Sequence, residues 1–389
     1  MKQIVGVLGS GQTHHTSSRQ DVSIPEMIHE AVSRALESTG LSLKDIDSVV
    51  IGNMEHFEGV HLSDLWAIDG SGGFMKPMMK VATGGCTGSS LAIAGYYHVA
   101  SGMSDLCLAI GWEKLSESGG QTTTGIITAF DPFYERPTMA GAVGSLGASA
   151  NAYISRHSID KARVAEVVVE TRKKASRNPH AHLRKTVTLE QVLDSPMISH
   201  PIRLLDMCPT SDGACAVILG SDRAIRKHGG KAAYIQAVES AHNRTYVGDV
   251  PGVGGNVVES LKVAAIRAYK KAGITNPIAE LDVAEIYEPC SYALLQWMEY
   301  LGFADPGKGI ELFEKGTVCI GGDLEVNPSG GVMSTNPIGA TGLIRVAEAT
   351  NQILGRAGPI QIDGVKRALS TGFGGSNWNE VLIYSKEPV

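Results

Sequence analysis

The chain has 389 residues, more than the roughly 250–300 that one hydrophobic core usually supports, so two packed units are expected. Its hydrophobic content of 43% is that of a globular protein, and a net charge of −6 without a run of Lys or Arg argues against a nucleic-acid partner. Six scattered cysteines without CxxC spacing argue against a zinc site or a disulfide framework and predict a reducing cytoplasm, while no apolar run reaches the roughly 18 residues of a membrane span.

The first elements alternate between strand and helix. Residues Ile4–Leu8 are expected to form a buried strand and not part of a signal peptide, and the glycines that follow lack the GxGxxG spacing of a dinucleotide site. The amphipathic pattern of Pro25–Thr39 predicts a helix, with Ser23 as its cap and Gly40 at its end. The next strand is predicted at Ile46–Ile51.

The stretch Val81–Gly102 predicts a strand, a sharp turn and a buried helix, with Cys86 at or just before the helix N-terminus. Unpaired N–H groups and the positive end of the helix dipole favour a thiolate there, so we expect a lowered thiol pKa and a nucleophile. The same amides are suited to binding an oxyanion. A buried structural cysteine is the alternative interpretation, and this stretch alone leaves both open.

The middle of the chain changes character after the strand predicted at Leu106–Ile110. Residues 116–199 contain the glycine-rich segments SGGQTTTG and AGAVGSLGASA, interpreted as loops, and a charged helix at Lys161–Ala175. We interpret this region as an insertion over the core, and its exposed-looking apolar residues between 116 and 150 predict an interface. Residues Ile202–Leu219 return to the core as a turn and an apolar strand.

The second half repeats the pattern of the first. AVSRALESTG at 31–40 aligns without gaps on AAIRAYKKAG at 264–273, with four identities in ten positions, and two strand patterns recur in the same order. This recurrence predicts an internal duplication, with halves at 1–225 and 226–389. Alternating strands and helices predict an α/β architecture with mixed sheets and helices on their faces.

Six segments resemble motifs of the thiolase superfamily, and the resemblance covers nearly the whole chain. They are the Cys86 turn-helix, GWEKLS at 111–116, DMCPTSDGACAVIL at 206–219, NPSGG and NPIGATG at 327–331 and 336–342, and GFGGSN at 372–377. The resemblance is to the archaeal and sterol-carrier-type thiolases. It implies a layered α-β-α-β-α core built from two thiolase halves, the first carrying the inserted region of about 116–199.

The resemblance also implies an enzymatic activity, that of an acyltransferase that cleaves a 3-oxoacyl-CoA with coenzyme A through an acyl-Cys86 intermediate. Coenzyme A is a co-substrate, and no bound cofactor or metal is implied. Three of the family's catalytic positions differ here. Asn336 replaces the histidine of the G-H-P motif, Thr371 (or Ser370, if the loop shifts by one) replaces the second cysteine, and Tyr287-Glu288 replaces the N-E or H-D pair.

These departures require the chemistry to be assigned from the residues present. Thiolysis needs a nucleophile, an oxyanion site and a proton donor to the leaving enolate carbon. Cys86 supplies the first, and backbone N–H groups at Cys86 and in Gly374-Gly375 are candidates for the second. Asn336 can donate to a thioester oxygen but cannot take a proton. Glu288 is the leading acid/base candidate because burial would raise its pKa, with Tyr287 and Cys290 as alternatives.

The resemblance leaves two other functions open. One is a thiolase-like retro-aldol lyase, in which a tyrosine at the Tyr287 position replaces the cysteine chemistry, although the second tyrosine of those enzymes is missing near Asn336. The other is a non-catalytic subunit that binds CoA esters. The altered residues predict a bulky or aromatic substrate, and the resemblance to this subgroup implies 2-benzoylsuccinyl-CoA as the specific candidate. The same subgroup implies a homodimeric core and a small partner subunit with a zinc ribbon and an OB-fold.

Overall fold

The computed structural model describes residues 3–57, 62–120, 122–138, 141–243, 259–375 and 378–388. The strands in these residues are β1 Val5–Gln12, β2 Ser48–Gly52, β3 Met78–Lys80, β4 Leu106–Lys114, β5 Met197–Ser199, β6 Ile202–Arg203, β7 Asp212–Ser221, β8 Ala233–His242, β9 Val283–Glu285, β10 Glu325–Val326, β11 Arg367–Phe373 and β12 Trp378–Ser385. The helices are α1 Ile24–Thr39, α2 Ile68–Ser71, α3 Thr87–Ala100, α4 Thr122–Ile127, α5 Gly141–His157, α6 Lys161–Arg177, α7 Leu189–Asp194, α8 Asp222–Lys227, α9 Glu259–Ala272, α10 Pro277–Glu280, α11 Ser291–Tyr300, α12 Gly309–Glu314 and α13 Ile338–Leu354. None of the described helices is long and apolar enough to cross a membrane.

The main sheet shows the internal duplication directly. Its ten strands run in the order β10-β9-β11-β12-β8-β1-β7-β4-β2-β3. The first half contributes β3-β2-β4-β7-β1 and the second contributes β10-β9-β11-β12-β8, so each strand of one half has a counterpart at the mirrored position of the other. The halves meet where β1 pairs antiparallel with β8 through Gly6–Tyr234 and Val7–Ala233. The predicted duplicated α/β fold is therefore confirmed.

Helices α3 and α13 form a layer between the two half-sheets. Helix α3 packs against α13 and against β2, β4 and β7, while α13 also contacts β9 and β11 of the second half. Helix α1 covers the outer side of β1 and β7, and α9 covers β8 and β12. The order of layers is therefore α-β-α-β-α, and the central layer carries Cys86 at its edge.

The first helix forms for the predicted reasons. Ser23 and Glu26 make a reciprocal capping box at its start, and Gly40 ends it in the left-handed conformation with φ of 70°. Strand β1 is longer than predicted because the glycines after Leu8 continue the strand. A Cβ on Gly11 would lie 2.3 Å from the backbone nitrogen of Ala35, so the glycine permits close packing of α1 and does not make a turn.

The insertion differs most from its prediction. AGAVGSLGASA was expected to be a loop, but all of it except its first residue, which lies outside the described residues, forms the start of α5. Its small residues allow close packing, since a Cβ on Gly147 would lie 2.4 Å from the hydroxyl oxygen of Ser199, while Leu146 and Ala150 are buried. The charged helix α6 extends two residues past its predicted end to Arg177.

Candidate active site

Cys86 is the N-cap residue of α3, as predicted, and its side chain is fully buried. The preceding strand lies at Met78–Lys80, slightly earlier than expected. Gly84 forms the turn with φ of 61°, and the hydroxyl of Thr87 donates to the Gly84 carbonyl oxygen at 2.7 Å. This local bonding fixes Cys86 at the start of the helix.

The small residues of α3 bring Cys86 close to the G-H-P-like segment. A Cβ on Gly88 would lie 2.4 Å from the backbone nitrogen of Leu343 in α13. The helices therefore touch through backbone near their N-terminal ends. Since Asn336 lies just before α13, this crossing brings it toward the candidate nucleophile.

The pKa of Cys86 does not have the expected direction. Burial raises the thiol pKa well above its ordinary value, and the nearby carboxylate of Glu380 raises it further, while a hydrogen bond with Ser89 opposes both. The thiol donates to the backbone carbonyl oxygen of Trp378 at 3.4 Å. The expectation of a low-pKa thiolate from the helix terminus is therefore wrong, because desolvation and a like charge outweigh the dipole.

The C-terminal glycine loop lies directly against Cys86. A Cβ on Gly374 would lie 3.2 Å from Cys86 Sγ, and Gly375 adopts φ of 73°. The N–H of Gly374 donates to the Trp378 carbonyl oxygen at 2.8 Å, so this amide is engaged in the present conformation. Ser376 and Asn377, the last two residues of the motif, lie outside the described residues.

Asn336 joins Tyr287 to two residues that the sequence did not single out. Its amide Nδ2 donates to Cys208 Sγ at 3.3 Å, and its Oδ1 accepts from the Thr341 hydroxyl at 2.9 Å and, weakly, from the Tyr287 hydroxyl at 3.5 Å. Burial raises the pKa of Tyr287 well above its usual value, and Cys208 and Cys86 add to this effect. Tyr287 therefore lies within electrostatic reach of the candidate nucleophile.

Glu288 points into the NPSGG loop. Its Oε2 accepts from Asn327 Nδ2 at 2.7 Å and its Oε1 from the backbone N–H of Met333 at 3.1 Å. Burial raises its pKa to about 8. A Cβ on Gly331 would lie 2.2 Å from Oε1, so a larger residue at this position would clash with the carboxyl group. These contacts hold the carboxyl group in place, and its role as an acid remains a prediction.

Of the two candidate replacements for the family's second cysteine, Thr371 faces the site. Its hydroxyl accepts from the backbone N–H of Tyr287 at 2.8 Å. Ser370 points to the other face of β11 and hydrogen-bonds the Tyr384 hydroxyl at 2.8 Å. Thr371 therefore positions the Tyr287 backbone.

Glu380 is the main residue that the sequence reasoning missed. It lies on β12, is buried, and accepts hydrogen bonds from the hydroxyls of Ser89 at 2.5 Å and Ser90 at 2.7 Å. Burial raises its pKa to about 7. The available signal was a carboxylate within the otherwise apolar strand segment EVLIY that follows the glycine loop.

The chain matches two family models that together cover most of its length. The model described as "Thiolase, N-terminal domain" matches residues 5–223, and that described as "Thiolase C-terminal domain-like" matches residues 253–386.

Individual relatives agree with these matches. The chain is 32% identical over 387 residues to an acetyl-CoA acetyltransferase of Methanothermobacter thermautotrophicus, covering 98% of this chain and 99% of the relative. It is 27% identical to the benzoylsuccinyl-CoA thiolase subunit BbsB of Thauera aromatica, covering 76% of this chain and 75% of the relative. The solved structure "Ltp2-ChsH2(DUF35) aldolase" has the same fold, with a TM-score of 0.84, 22% identity, and coverage of 100% of this chain and 99% of that one. The chain therefore belongs to the thiolase family, a family of acyltransferases, as its motifs predict.

Proposed function

We propose that the protein is an acyl-CoA thiolase that cleaves a 3-oxoacyl-CoA with coenzyme A. Cys86 Sγ attacks the C3 carbonyl carbon, the C2–C3 bond breaks, and a shorter CoA ester leaves as its enolate. The thiol of coenzyme A then takes the acyl group from Cys86. The observation that carries this proposal is the position of Cys86 at the start of α3 with Gly374 against its sulfur.

The remaining roles follow from the groups near Cys86. The Asn336 amide can donate to the thioester oxygen once it leaves Cys208. The N–H groups of Cys86, Gly374 and Gly375 are the proposed oxyanion donors, which requires Gly374 to release the Trp378 carbonyl. Glu288 is the proposed acid for the enolate carbon, because a carboxyl group with a pKa of about 8 is protonated at neutral pH.

We propose a bulky or aromatic acyl group, with 2-benzoylsuccinyl-CoA as the specific candidate. The name of the Thauera aromatica relative supports this substrate. Aromatic rings beside the site support it independently. The Phe373 ring lies 5.2 Å from the Trp297 ring and 6.0 Å from the Tyr287 ring, between centroids. Coenzyme A is the co-substrate, and no bound cofactor is proposed.

We also propose a homodimeric core. Strand β3 lies at the end of the sheet, and among the described residues no strand pairs with its outer side. Phe74 and Met75 beside it are 66% and 88% exposed. An apolar patch next to an open sheet edge is suited to a second copy of the chain.

The six cysteines, which are all free, support a reducing cytoplasm as the location of the protein.

A small partner subunit with a zinc ribbon and an OB-fold is proposed for a second surface. Phe133 and Tyr134 in the insertion are 81% and 72% exposed. Two similar proteins support such a partner: the Thauera aromatica relative is called a subunit, and the name of the aldolase structure includes a second component.

A retro-aldol lyase acting on a CoA ester is the second candidate. The specific observation for it is Tyr287, whose hydroxyl lies beside Asn336 and Thr341 and within electrostatic reach of Cys86. Such an enzyme would use the phenol as its acid/base group and would not need a covalent cysteine intermediate.

Product analysis with purified protein separates the two functions. Acetoacetyl-CoA, 2-benzoylsuccinyl-CoA and a 3-hydroxyacyl-CoA are incubated with and without coenzyme A, and new acyl-CoA esters and free carbonyl products are measured by mass spectrometry. A thiolase needs coenzyme A for turnover and is inactive as Cys86→Ala. A lyase releases a free carbonyl product from a 3-hydroxyacyl-CoA without coenzyme A, survives Cys86→Ala and is inactive as Tyr287→Phe.

A further inference from the structure

We propose that Ser89 and Glu380 form a proton relay that accepts the proton of Cys86 when its sulfur attacks the substrate. This inference rests on the proposed function, in which Cys86 is the nucleophile. Deprotonation of Cys86 needs a base, and the Asn336 amide cannot act as one. The relay assigns this role to Ser89 and Glu380.

The relay is built by two neighbouring elements. Ser89 lies three residues after Cys86 in the first turn of α3, and its hydroxyl is 2.9 Å from the Cys86 carbonyl oxygen. The same hydroxyl lies 2.5 Å from Glu380 Oε2. The thiol hydrogen points at the Trp378 carbonyl oxygen in this conformation, while Ser89 lies close enough to lower the thiol pKa, so the relay begins when the S–H rotates from Trp378 to Ser89. A hydroxyl is both a donor and an acceptor, so Ser89 can take a proton from the thiol while giving its own to the carboxylate.

The surrounding residues hold this geometry. The Ser90 hydroxyl donates to Glu380 Oε1 at 2.7 Å and accepts from the Thr83 hydroxyl at 2.7 Å. A Cβ on Gly372 would lie 1.8 Å from the Ser89 hydroxyl oxygen, so only glycine leaves room for it. Both carboxylate oxygens are therefore fixed, and one faces the Ser89 hydroxyl.

The burial of Glu380 is not explained by an ion pair. No salt bridge in the described part of the chain includes it, and a buried carboxylate without a cation is unfavourable for stability. A glutamine would satisfy the two serine hydroxyls without the charge. A buried carboxylate next to the proposed nucleophile, with no ion pair among the described residues, therefore points to a chemical role.

The titrations of the two groups fit a shared proton. Burial raises the pKa of Glu380 to about 7, and the hydrogen bonds from Ser89, Ser90 and Trp378 act in the opposite direction. The Glu380 charge in turn raises the pKa of the Cys86 thiol. The pair therefore favours one negative charge, located on Glu380 near neutral pH, where a general base is most effective.

The proton balance closes over the full cycle. During attack, the proton of Cys86 moves to Ser89 Oγ, the Ser89 proton moves to Glu380 Oε2, and the sulfur–carbon bond forms as the carbonyl electron pair moves to oxygen. When the C2–C3 bond breaks, the site's acid protonates the enolate carbon. In deacylation, the thiol of coenzyme A returns a proton to that acid, and Glu380 returns its proton through Ser89 to the departing Cys86 sulfur.

Alkylation of Cys86 by iodoacetamide tests the relay without a substrate. Rates are measured between pH 5.5 and 9.5 by peptide mass spectrometry on the full chain, with circular dichroism to check folding. The variants are Glu380→Gln, Ser89→Ala and the matched control Ser90→Ala. The control removes the hydroxyl that donates to the other carboxylate oxygen, Glu380 Oε1. This range covers about two pH units on either side of the titration of a base with a pKa near neutrality.

The relay predicts a wild-type rate that rises through an inflection near pH 7, the pKa of Glu380. Glu380→Gln loses this inflection and reacts about 100-fold more slowly at neutral pH, and Ser89→Ala is slowed although it keeps the carboxylate. Ser90→Ala keeps the inflection but moves it to higher pH, because a hydrogen bond that lowers the Glu380 pKa is gone.

An equal or faster rate in Glu380→Gln overturns the relay, because removing a charge that only repels the thiolate would lower the thiol pKa and speed alkylation. The acyl-Cys86 adduct separates this result from the proposed function. If the adduct forms equally fast in wild type and Glu380→Gln, the relay fails and the thiolase function stands. If the alkylation profile is as predicted but no 3-oxoacyl-CoA gives an adduct, the function fails and the relay stands.

Discussion

Gly88 of α3 and Gly342 of α13 meet backbone to backbone, so that a Cβ on Gly88 would lie 2.7 Å from the Gly342 nitrogen. The contact joins the helix that carries Cys86 to the helix that follows Asn336. Because both partners are main chain, neither can move aside without moving its helix.

Gly88→Ala is therefore expected to destabilise the protein by about 1–3 kcal/mol through overpacking and to lower activity by separating Cys86 from Asn336. Urea denaturation and steady-state kinetics measure the two effects. Gly95→Ala in the same helix is the control, because its Cβ would meet the end of the Leu219 side chain at 2.9 Å, which can rotate away. Equal losses in both variants would contradict the argument.

Cys86→Ser is expected to keep the fold, since the volume change is small, and to lose activity by orders of magnitude, because a serine hydroxyl is a far weaker nucleophile than a thiol. Mass spectrometry after mixing wild type with a 3-oxoacyl-CoA should show an acyl group on the Cys86 peptide. Cys215→Ser, at another buried cysteine, serves as the control. Full activity in Cys86→Ala would rule out the covalent intermediate.

Glu288→Gln is expected to lower kcat by about 10²–10⁴-fold, the usual contribution of a general acid. The substitution keeps size and most hydrogen bonding to Asn327 and Met333. Acylation of Cys86 by a simple thioester should fall less, because it needs no carbon protonation. Near wild-type turnover in Glu288→Gln together with an inactive Tyr287→Phe would identify Tyr287 as the proton carrier and favour the lyase.

The buried carboxylates predict how stability depends on pH. Burial raises the pKa from 4.5 to about 8 for Glu288 and to about 7 for Glu285 and Glu380, so the folded state holds protons that the unfolded state has released. Their contribution to the free energy of unfolding is present below pH 4.5 and is lost as the pH rises toward 8. Urea denaturation should show a smaller loss over this window in Glu380→Gln than in wild type. The control is Glu37→Gln, which removes an exposed carboxylate by the same substitution.

Met75→Asp is expected to convert a dimer into monomers, because it places a charge in the apolar patch beside the open edge of β3. Light scattering measures the mass of each variant. Met103→Asp is the control, since Met103 is similarly exposed at 82% and lies outside this patch. A wild-type protein that is monodisperse, monomeric and fully active would contradict the dimer.

The features that local sequence patterns determine were predicted well from the sequence. Helix α1 begins and ends at its predicted cap residues, and Cys86 lies at the start of a buried helix as expected. The internal duplication was anticipated from a repeat of ten residues and two recurring strand patterns, although the order of the strands was not. These features depend on neighbours in the chain, where periodicity, capping and turn chemistry are readable.

What the sequence could not predict depends on contacts between distant segments. The thiol pKa of Cys86 is set by burial and by Glu380, which lies almost three hundred positions later in the chain. The engagement of the Gly374 amide likewise depends on the Trp378 carbonyl across the loop. The helix at Gly141–His157 was missed because small residues predict loops in isolation and close packing only when a partner is known.

The Trp378 carbonyl, which accepts from both the Cys86 thiol and the Gly374 amide, has a consequence for the chemical durability of the resting enzyme. Peroxides attack thiolates, and a buried protonated sulfur turns into sulfenic acid slowly. The half-exposed Cys319 should therefore oxidise before Cys86. In an aerated solution without substrate, the proposed nucleophile is thus protected from oxidation, and it becomes vulnerable only when its proton moves to a base during turnover.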